Sequence, residues 1–430
     1  MSHTKKHLGP SVLRETLSQR FSRLTDTRQE GKTDHAMHDV FMSGFAMMFF
    51  QDPSLLQFQQ RMEDEGHMNN LKTLFHVKTI PKDTWMREVI DEVDPEEITP
   101  LFDDFFRPLQ RGKHLEQYSV LGRYIAAIDG SQYFTSEKIS CPGCLIKEDK
   151  KGSIRYSHQI VQAAIMNPRM RQVIPLPPEE VRNTDGKDKQ DCEINAGKRL
   201  LGRLRKSHPK LSFIIIADGL YSKQPTIEEA LALHMDYVLV AKPDDHEMLM
   251  EWVNEQRALK EVTRWEVREK DRTHIYEWVN DVPLNGNKKT IMVNFFEYWI
   301  EDKGKIAYHN SWVTNLIVDK GNIGELVRIG RCRWKIENEV FNTLKNQGYH
   351  IEHNYGHGKK HLSFNFFLLN LLAFFMHQIF ELTSIPYQQL RKKFGSKRNL
   401  WDHMRVFLSA FIFPDWEVYF QKLLTPLRSP

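Results

Sequence analysis

Two short apolar runs set what the chain can build. Tyr124-Ile-Ala-Ala-Ile-Asp129 and Leu211-Ser-Phe-Ile-Ile-Ile-Ala-Asp218 each end in an aspartate followed by glycine. Apolar runs this short read as strands buried on both faces, so they need a sheet with covering helices. The glycine frees the backbone to turn and leaves each carboxylate at the sheet's C-terminal edge. Ser153 to Met166 and Arg171 to Leu176 read as strands that pair with the first run as a meander. A helix is expected from about Asp191 to Ser207, with Ala196, Leu200 and Leu204 on one face, and another from Thr226 to Met235 before an apolar strand, Tyr237 to Ala241.

A late helix completes the pattern. In Arg331-Cys-Arg-Trp-Lys-Ile-Glu-Asn-Glu-Val-Phe-Asn-Thr-Leu-Lys345, a turn of about 100° per residue puts Ile336, Val340, Phe341 and Leu344 on one side. Glu337 falls among them, with Arg333 one turn earlier on the same face. Glu339 projects elsewhere, about 120° from Arg333 against about 40° for Glu337. A carboxylate facing a core needs a partner, either an ion pair with Arg333 that ties helix to sheet or a metal. Three strands, a helix, a strand, a helix, a strand and a late helix is the order of an RNase H-like core, an α+β or α/β mixed sheet flanked by helices.

Other segments attach to this core. Residues 1–120 read as a helical domain, with Asp52-Pro53 and Asp94-Pro95 as N-cap and first-turn proline pairs. Arg14, Arg20, Arg23, Lys72 and Arg87 there are candidates for phosphate contact or a solvated face. Residues 121–248 hold the first part of the core. Residues 249–325 read as a β-rich insertion, with strands around Trp265, Ile275 to Trp278, Ile291 to Trp299 and Ser311 to Val318, and an Asn285-Gly286 turn. Residues 326–385 return to the core, and 386–430 form a basic helical tail with Arg391, Lys392, Lys393, Lys397 and Arg398. The uncharged run Leu362 to Phe380 has the length of a membrane span, but Asn365, Asn370, His377 and Gln378 interrupt it, so a buried core helix is expected.

The chemistry follows from the acids. Asp129, Asp218 and Glu337, brought together at one sheet edge, would repel strongly unless divalent cations neutralise them. A few hard carboxylates with water and phosphate oxygens suit Mg²⁺, and two such ions serve phosphodiester displacement by water or a 3′-hydroxyl. Bulk charge adds little, because 60 Lys and Arg against 56 Asp and Glu leave a net +4. A nucleic-acid surface must therefore come from local clustering. No apolar segment follows Met-Ser-His-Thr-Lys-Lys, so a reducing cytoplasm is expected and the four cysteines are thiols or ligands.

Carried by Ala127-Ile-Asp129-Gly-Ser, Ile-Ala-Asp218-Gly-Leu-Tyr and above all Arg333-Trp-Lys-Ile-Glu337, the sequence resembles bacterial insertion-sequence transposases of the DDE type. The resemblance covers most of the chain. It implies an RNase H-like fold with a β-strand insertion before the catalytic glutamate, and catalytic Asp129, Asp218 and Glu337 holding two Mg²⁺ ions, with Mn²⁺ able to substitute. It also implies cleavage at transposon ends and strand transfer, double-stranded DNA (terminal inverted repeats and target) as partner, and a homodimer or higher assembly in the synapse. A bacterial, nucleoid-associated cytoplasmic location with no membrane follows from it.

In that family the late helix commonly reads Tyr-x2-Arg-x3-Glu-x6-Lys. Here Arg333-x3-Glu337 is intact, Gly330 stands at the tyrosine position and Lys345 lies one residue further along. Arg333 would steer phosphate or fix Glu337, and Lys345 is the candidate phosphate-binding lysine. An insertion-domain aromatic that stacks on a flipped base is also implied, with Trp265, Trp278, Trp299 and Trp312 as candidates, the last two foremost; packing is the competing role for strand tryptophans.

Two further patterns stand outside the triad. Cys141-Pro-Gly-Cys144 has the spacing of half a Zn²⁺ site, which His158 or Cys192 would complete, or is a turn with two reduced thiols. His350, His353, His357 and His361 also look metal-like, but with Gly356, Gly358, Lys359 and Lys360 among them a loop that contacts phosphate or is simply exposed is expected. The rival functions are a structure-specific nuclease on the same fold and a catalytically silent DNA-binding protein.

Overall fold

The computed structural model describes residues 7–29, 33–52, 54–62, 65–150, 152–183, 191–353 and 355–425. Its centre is one mixed sheet flanked by helices, consistent with an RNase H-like architecture. The strands are β1 (Ser119–Val120), β2 (Arg123–Ser136), β3 (Leu145–Glu148), β4 (Ile154–Met166), β5 (Ile174–Pro175), β6 (Glu179–Val181), β7 (Phe213–Ala217), β8 (Asp236–Val240), β9 (Thr263–Glu269), β10 (Arg272–Pro283), β11 (Met292–Asp302) and β12 (Lys305–Thr314). Their order is β3-β4-β2-β7-β8-β12-β11-β10-β9, with β1 beside β2 and β5 and β6 beside β4. β2, β7 and β8 run parallel, and the Ile-Ile-Ile run of β7 is buried on both faces as its unbroken apolarity requires. β4 is antiparallel to β2, and β5 pairs with β4 to close the expected meander.

The strands of residues 263–314 form an antiparallel meander that continues the central sheet, because β12 pairs with β8 through Trp312↔Val240 and Thr314↔Val238. β12 begins at Lys305, earlier than the sequence suggested, and ends at Thr314, so Leu316 to Val318 leave the sheet. Between β10 and β11, the Asn285 side chain accepts from the Asn287 N–H at 3.0 Å and the Asn285 backbone N–H donates to Thr290 Oγ1 at 3.1 Å, closing a turn longer than two residues.

Helices precede the sheet: Pro10–Phe21, Met37–Phe50, Leu55–Met62, Glu65–Phe75, Asp83–Glu92 and Pro100–Arg111. Asp94 caps as expected, accepting from Glu96 N–H, but it opens a single 3-10 turn and the α-helix starts at Pro100. Asp52 does not cap. It is buried and paired with Arg61, and Ser54 Oγ accepts from Gln57 N–H at 3.1 Å in its place. Pro53 lies outside the described residues. Of the basic residues considered for phosphate contact, Arg20 pairs with Asp104 (2.9 Å), Arg14 hydrogen-bonds His76 (2.7 Å) and Arg87 lies 3.7 Å from Asp83, while Arg23 and Lys72 are exposed.

The helix Leu362–Thr383 is long and apolar enough to cross a membrane, yet most of it is buried inside this fold. Its polar residues explain why. Asn365 Nδ2 donates to the carbonyls of Ile90 and Val93 (both 2.8 Å), and Asn370 Nδ2 donates to that of Tyr349 (2.7 Å). His377 Nδ1 meets Tyr349 Oη at 2.8 Å, and Gln378 Oε1 accepts from Val173 N–H at 3.1 Å. These buried polar groups are spent on neighbours from several segments, Ile90 and Val93, Tyr349, and Val173, which fixes the helix in rotation and register. The Asp91 carboxylate caps its start, accepting N–H groups from Lys359, Lys360, His361 and Leu362 at 2.8 to 3.0 Å. That loop is therefore pinned to the N-terminal helices and is not a free polar loop.

The C-terminal segment is likewise structural. Helices Ile385–Phe394, Lys397–Ala410 and Trp416–Leu424 close over the N-terminal ones, with Asn70 Nδ2 donating to Leu408 and Phe411 carbonyls and Trp416 Nε1 donating to that of Leu74 at 3.0 Å. Arg391 pairs with Glu381 (3.1 Å), and Lys393 Nζ donates to the carbonyl of Leu423 (2.8 Å). The expected basic tail thus spends several charges inside the fold.

Gly330 has a steric reason. It lies in the last turn of the helix Ile323–Arg331 against the Trp312 ring, where an added Cβ would lie 2.5 Å from Nε1. Trp312 is fully buried and stacked on Phe296 (centroids 5.2 Å apart), so it has nowhere to go. Gly330→Ala should destabilise the fold by about 1–3 kcal/mol. Urea denaturation checks this, and an unchanged midpoint would show that the contact is slack.

Candidate active site

Strand pairing alone brings the two aspartates together. β2 and β7 are parallel with Tyr124↔Phe213 through Ala127↔Ile216, and the same register carried two residues on sets Asp129 beside Asp218. Neighbouring strands lie about 4.8 Å apart, so the two carboxylates share one end of the sheet. Asp218 turns the chain out of β7, accepting the N–H of Leu220 at 3.0 Å.

The third acid arrives on a helix that the sequence described only in part. A continuous α-helix over residues 331–345 is not what forms. The helix Ile323–Arg331 ends, the chain turns at Cys332 and Arg333, and Ile336–Phe341 is a π-helix before the α-turn Asn342–Asn346. Ile336, Val340, Phe341 and Leu344 are buried as their spacing predicted. Glu337 is not buried among them. Its side chain is 49% exposed at the margin of the apolar stripe, whereas that of Glu339 is 23% exposed and lies 3.7 Å from Arg171. The wider π turn rotates both acids from the positions that 100° per residue assigns.

The π turn also resolves the spacing of Lys345. A π turn takes one residue more than an α turn. Eight residues from Glu337 across this segment therefore travel about as far around the axis as seven would in an unbroken α-helix. The extra residue is absorbed, and Lys345 returns to the azimuth that a Glu-x6-Lys spacing would give; its Nζ contacts Glu352 at 2.9 Å.

Arg333 joins the acids. Its Nη1 lies 2.7 Å from Glu337 Oε1 and 3.7 Å from Asp129 Oδ2, so one guanidinium spans helix and sheet. Burial pushes the Asp129 carboxyl up, Arg333 opposes that, and the negative charges of Asp218 and Glu193 raise it further, to about 6. Glu193 is the residue that the sequence reading missed. It begins the helix Glu193–Ser207, accepts a hydrogen bond from Tyr221 Oη at 3.0 Å, and sits so close to Gly130 that a Cβ there would lie 2.3 Å from Glu193 Oε2. Its own pKa is raised by burial first, with Asp218 adding to the effect against the Tyr221 hydrogen bond. A signal was present: Glu193 lies three residues before Ala196 on the face shared with Leu200 and Leu204, an acid on an apolar stripe.

The remaining candidates fall elsewhere. Trp312 is buried and cannot offer a ring face to a base, because its plane is consumed by Phe296 and Gly330. Trp299 is half-buried and stacks on His309 (5.0 Å, 8°), Trp278 is buried and Trp265 stacks on Tyr276 (5.2 Å). Trp334, next to Arg333, is 47% exposed and was not singled out. Cys192 is exposed ahead of the Glu193 helix, whereas Cys141 and Cys144 lie with His158 and His357 in a cluster apart from the acids.

Crowded oxygen donors with a raised pKa fit a divalent cation. Because the folded pKa of Asp129 exceeds its ordinary 3.8, metal-free protein loses stability as pH rises, and the full penalty is present above about 6. In chelator at pH 7.5, Asp129→Asn should therefore melt above the parent, with the gap closing as pH falls below the ordinary carboxyl range. Glu193→Gln should move the same transition to lower pH by removing one like charge. Melting temperature against pH tests both, and a less stable Asp129→Asn at pH 7.5 would contradict the crowding.

The family described as "Transposase DDE domain" matches residues 146–376, a span that contains Glu193, Asp218, Arg333 and Glu337 and begins beyond Asp129. No curated protein matches the chain. With more than half of the chain matched, and with acids gathered at the sheet edge from β2, β7 and the late helix, the protein belongs to the transposase DDE domain family.

Proposed function

We propose that this chain is the DNA transposase of an insertion sequence, cleaving DNA at the ends of its element and joining the freed 3′ ends to target DNA. The observation that carries the reading is the bridging of Asp129 and Glu337 by Arg333 beside Asp218, in a chain of a transposase family. Asp129, Asp218 and Glu337 would hold two Mg²⁺ ions, or Mn²⁺ in their place; when bound, such ions neutralise charge and activate a water or 3′-hydroxyl for phosphodiester displacement.

The protein's own part is positioning and charge. β2 and β7 set the two aspartates on rigid strands, and the π turn presents Glu337 at the open margin of the site, where a bulky duplex can reach it. The short Arg333 contact holds Glu337 toward Asp129, and a planar five-donor guanidinium can serve a carboxylate and a phosphate at once. Lys345, returned to the Glu337 side by the π turn, supplies a second cation for the DNA backbone. Glu193, held by Tyr221, adds negative charge behind Asp129 and favours a cation in front of it. Double-stranded DNA carrying terminal inverted repeats is the substrate, and pairing two such ends calls for at least a homodimer on DNA.

Purified protein should nick and join duplexes that carry the element's own terminal repeats in Mg²⁺ or Mn²⁺ and be inert in chelator. Glu337→Gln should lower cleavage and transfer by at least about two orders of magnitude while end binding persists. Glu339→Gln removes a long ion pair to an exposed arginine and should cost less than about 1 kcal/mol of stability, with activity retained. Cleavage of correct ends without any joined product would favour a nuclease, and an active Glu337→Gln would remove the third acid from the site.

A further inference from the structure

Apart from the carboxylates, four side chains from distant parts of the sequence meet. Cys141 and Cys144 come from the segment between β2 and β3, His158 from β4, and His357 from the loop that leads into the helix Leu362–Thr383. One ligand atom from each lies within 4.8 Å of all the others. The two sulfurs are 3.8 Å apart; His158 Nε2 is 3.4 Å from Cys141 Sγ and 3.5 Å from Cys144 Sγ; His357 Nε2 is 3.4 Å from Cys144 Sγ; and the two Nε2 atoms are 3.1 Å apart. A tetrahedral zinc ion with bonds of about 2.3 Å to sulfur and about 2.0 Å to nitrogen would set its ligands about 3.8 Å (S to S), about 3.5 Å (S to N) and about 3.3 Å (N to N) apart. These edges match that tetrahedron in each class of contact.

The outer partners orient the rings the same way. His357 Nδ1 lies 3.0 Å from the Gly358 carbonyl, an acceptor that fixes the proton on Nδ1 and leaves Nε2 as a lone pair. His158 Nδ1 lies 3.3 Å from Glu180 Oε1, the carboxylate that commonly stands behind a metal-binding histidine. Glu180 is itself held by Tyr133 Oη (2.8 Å) and Arg182. Two imidazole lone pairs aimed at one point repel unless a cation lies between them. Cys144, His158 and His357 are buried, so water is poorly placed to relieve that repulsion.

The geometry points to a structural zinc site made by Cys141, Cys144, His158 and His357. Zn²⁺ displaces one proton from each thiol to solvent, and the two thiolates balance its charge, so the assembled site is neutral in a buried setting. It clips the excursion after β2 and the loop after the Glu337 helix to strand β4.

Protein expressed with zinc and dialysed into zinc-free buffer containing Mg²⁺ should retain about one zinc per chain by elemental analysis. Cobalt exchanged into the unaltered protein should give the intense visible bands of a tetrahedral ion together with a thiolate charge-transfer band. A Cys141→Ser, Cys144→Ser double variant should lose the metal and melt at lower temperature, and His357→Ala should weaken binding. His357→Cys should restore zinc, since three thiolates and an imidazole also make a tetrahedral site. Zinc far below stoichiometry together with no cobalt spectrum in the unaltered protein would overturn the proposal, and would mean that the cluster is a thiol–imidazole hydrogen-bond network. Because the readout is metal content and spectrum, the outcome is independent of whether Glu337 supports DNA cleavage.

Discussion

The guanidinium of Arg333 is the point where sheet and late helix agree on a geometry. Asp129 is held on β2 with a raised pKa, because burial and the charges of Asp218 and Glu193 all disfavour a further anion there. Without a cation, a helix bringing Glu337 to the same edge would be pushed away. Arg333 sits four residues before Glu337, so forming the local pair at 2.7 Å also delivers positive charge 3.7 Å from Asp129. The pair is only partly buried, which keeps its contribution to stability modest.

Access is set by backbone irregularity. The π turn over Ile336–Phe341 keeps Ile336, Val340, Phe341 and Leu344 in the core while letting Glu337 stand at the margin. It also absorbs the extra residue before Lys345. Single π turns cost hydrogen-bond regularity and tend to persist where a side chain must be re-aimed. Before this segment, Gly330 has no side chain, which lets the preceding helix pack directly against the Trp312 ring.

The apolar helix Leu362–Thr383 ties several distant segments together. Asn365 ties it to the Asp83–Glu92 helix, Asn370 and His377 to Tyr349, and Gln378 to the turn before β5. Asp91 caps its start, and the Cys141, Cys144, His158 and His357 cluster holds the loop just before it. The loop between Glu337 and this helix is thus tethered at both ends, so the position of the late helix is inherited from the core and not from its own short π and α turns.

Much of this was legible in the sequence, and for a definite reason. Buried parallel strands must be continuously apolar, so Tyr124–Asp129 and Leu211–Asp218 announced themselves, and a polar residue at the end of such a run can lie only at the sheet edge. Arg333 and Glu337 were readable because an i, i+4 pair is local. The exposure of Glu337 was not, since a π turn depends on what the helix packs against, and 100° per residue presumes the α form. Trp312 stood among the foremost base-stacking candidates until its burial against Phe296 and Gly330 ruled out that role. Glu193, His158 and His357 each left a local trace, as an acid on an apolar stripe, a candidate ligand for the Cys141 and Cys144 pair, and one of four histidines in a loop, but which groups they meet was not legible, because those partners lie far away in sequence: Asp129 and Tyr221 for the first, and one another with Cys141 and Cys144 for the histidines. Local pattern determined the strands, the acids at their ends and the apolar stripe; only chain closure decided which side chains meet, because contact between distant residues is set by the packing of the whole core.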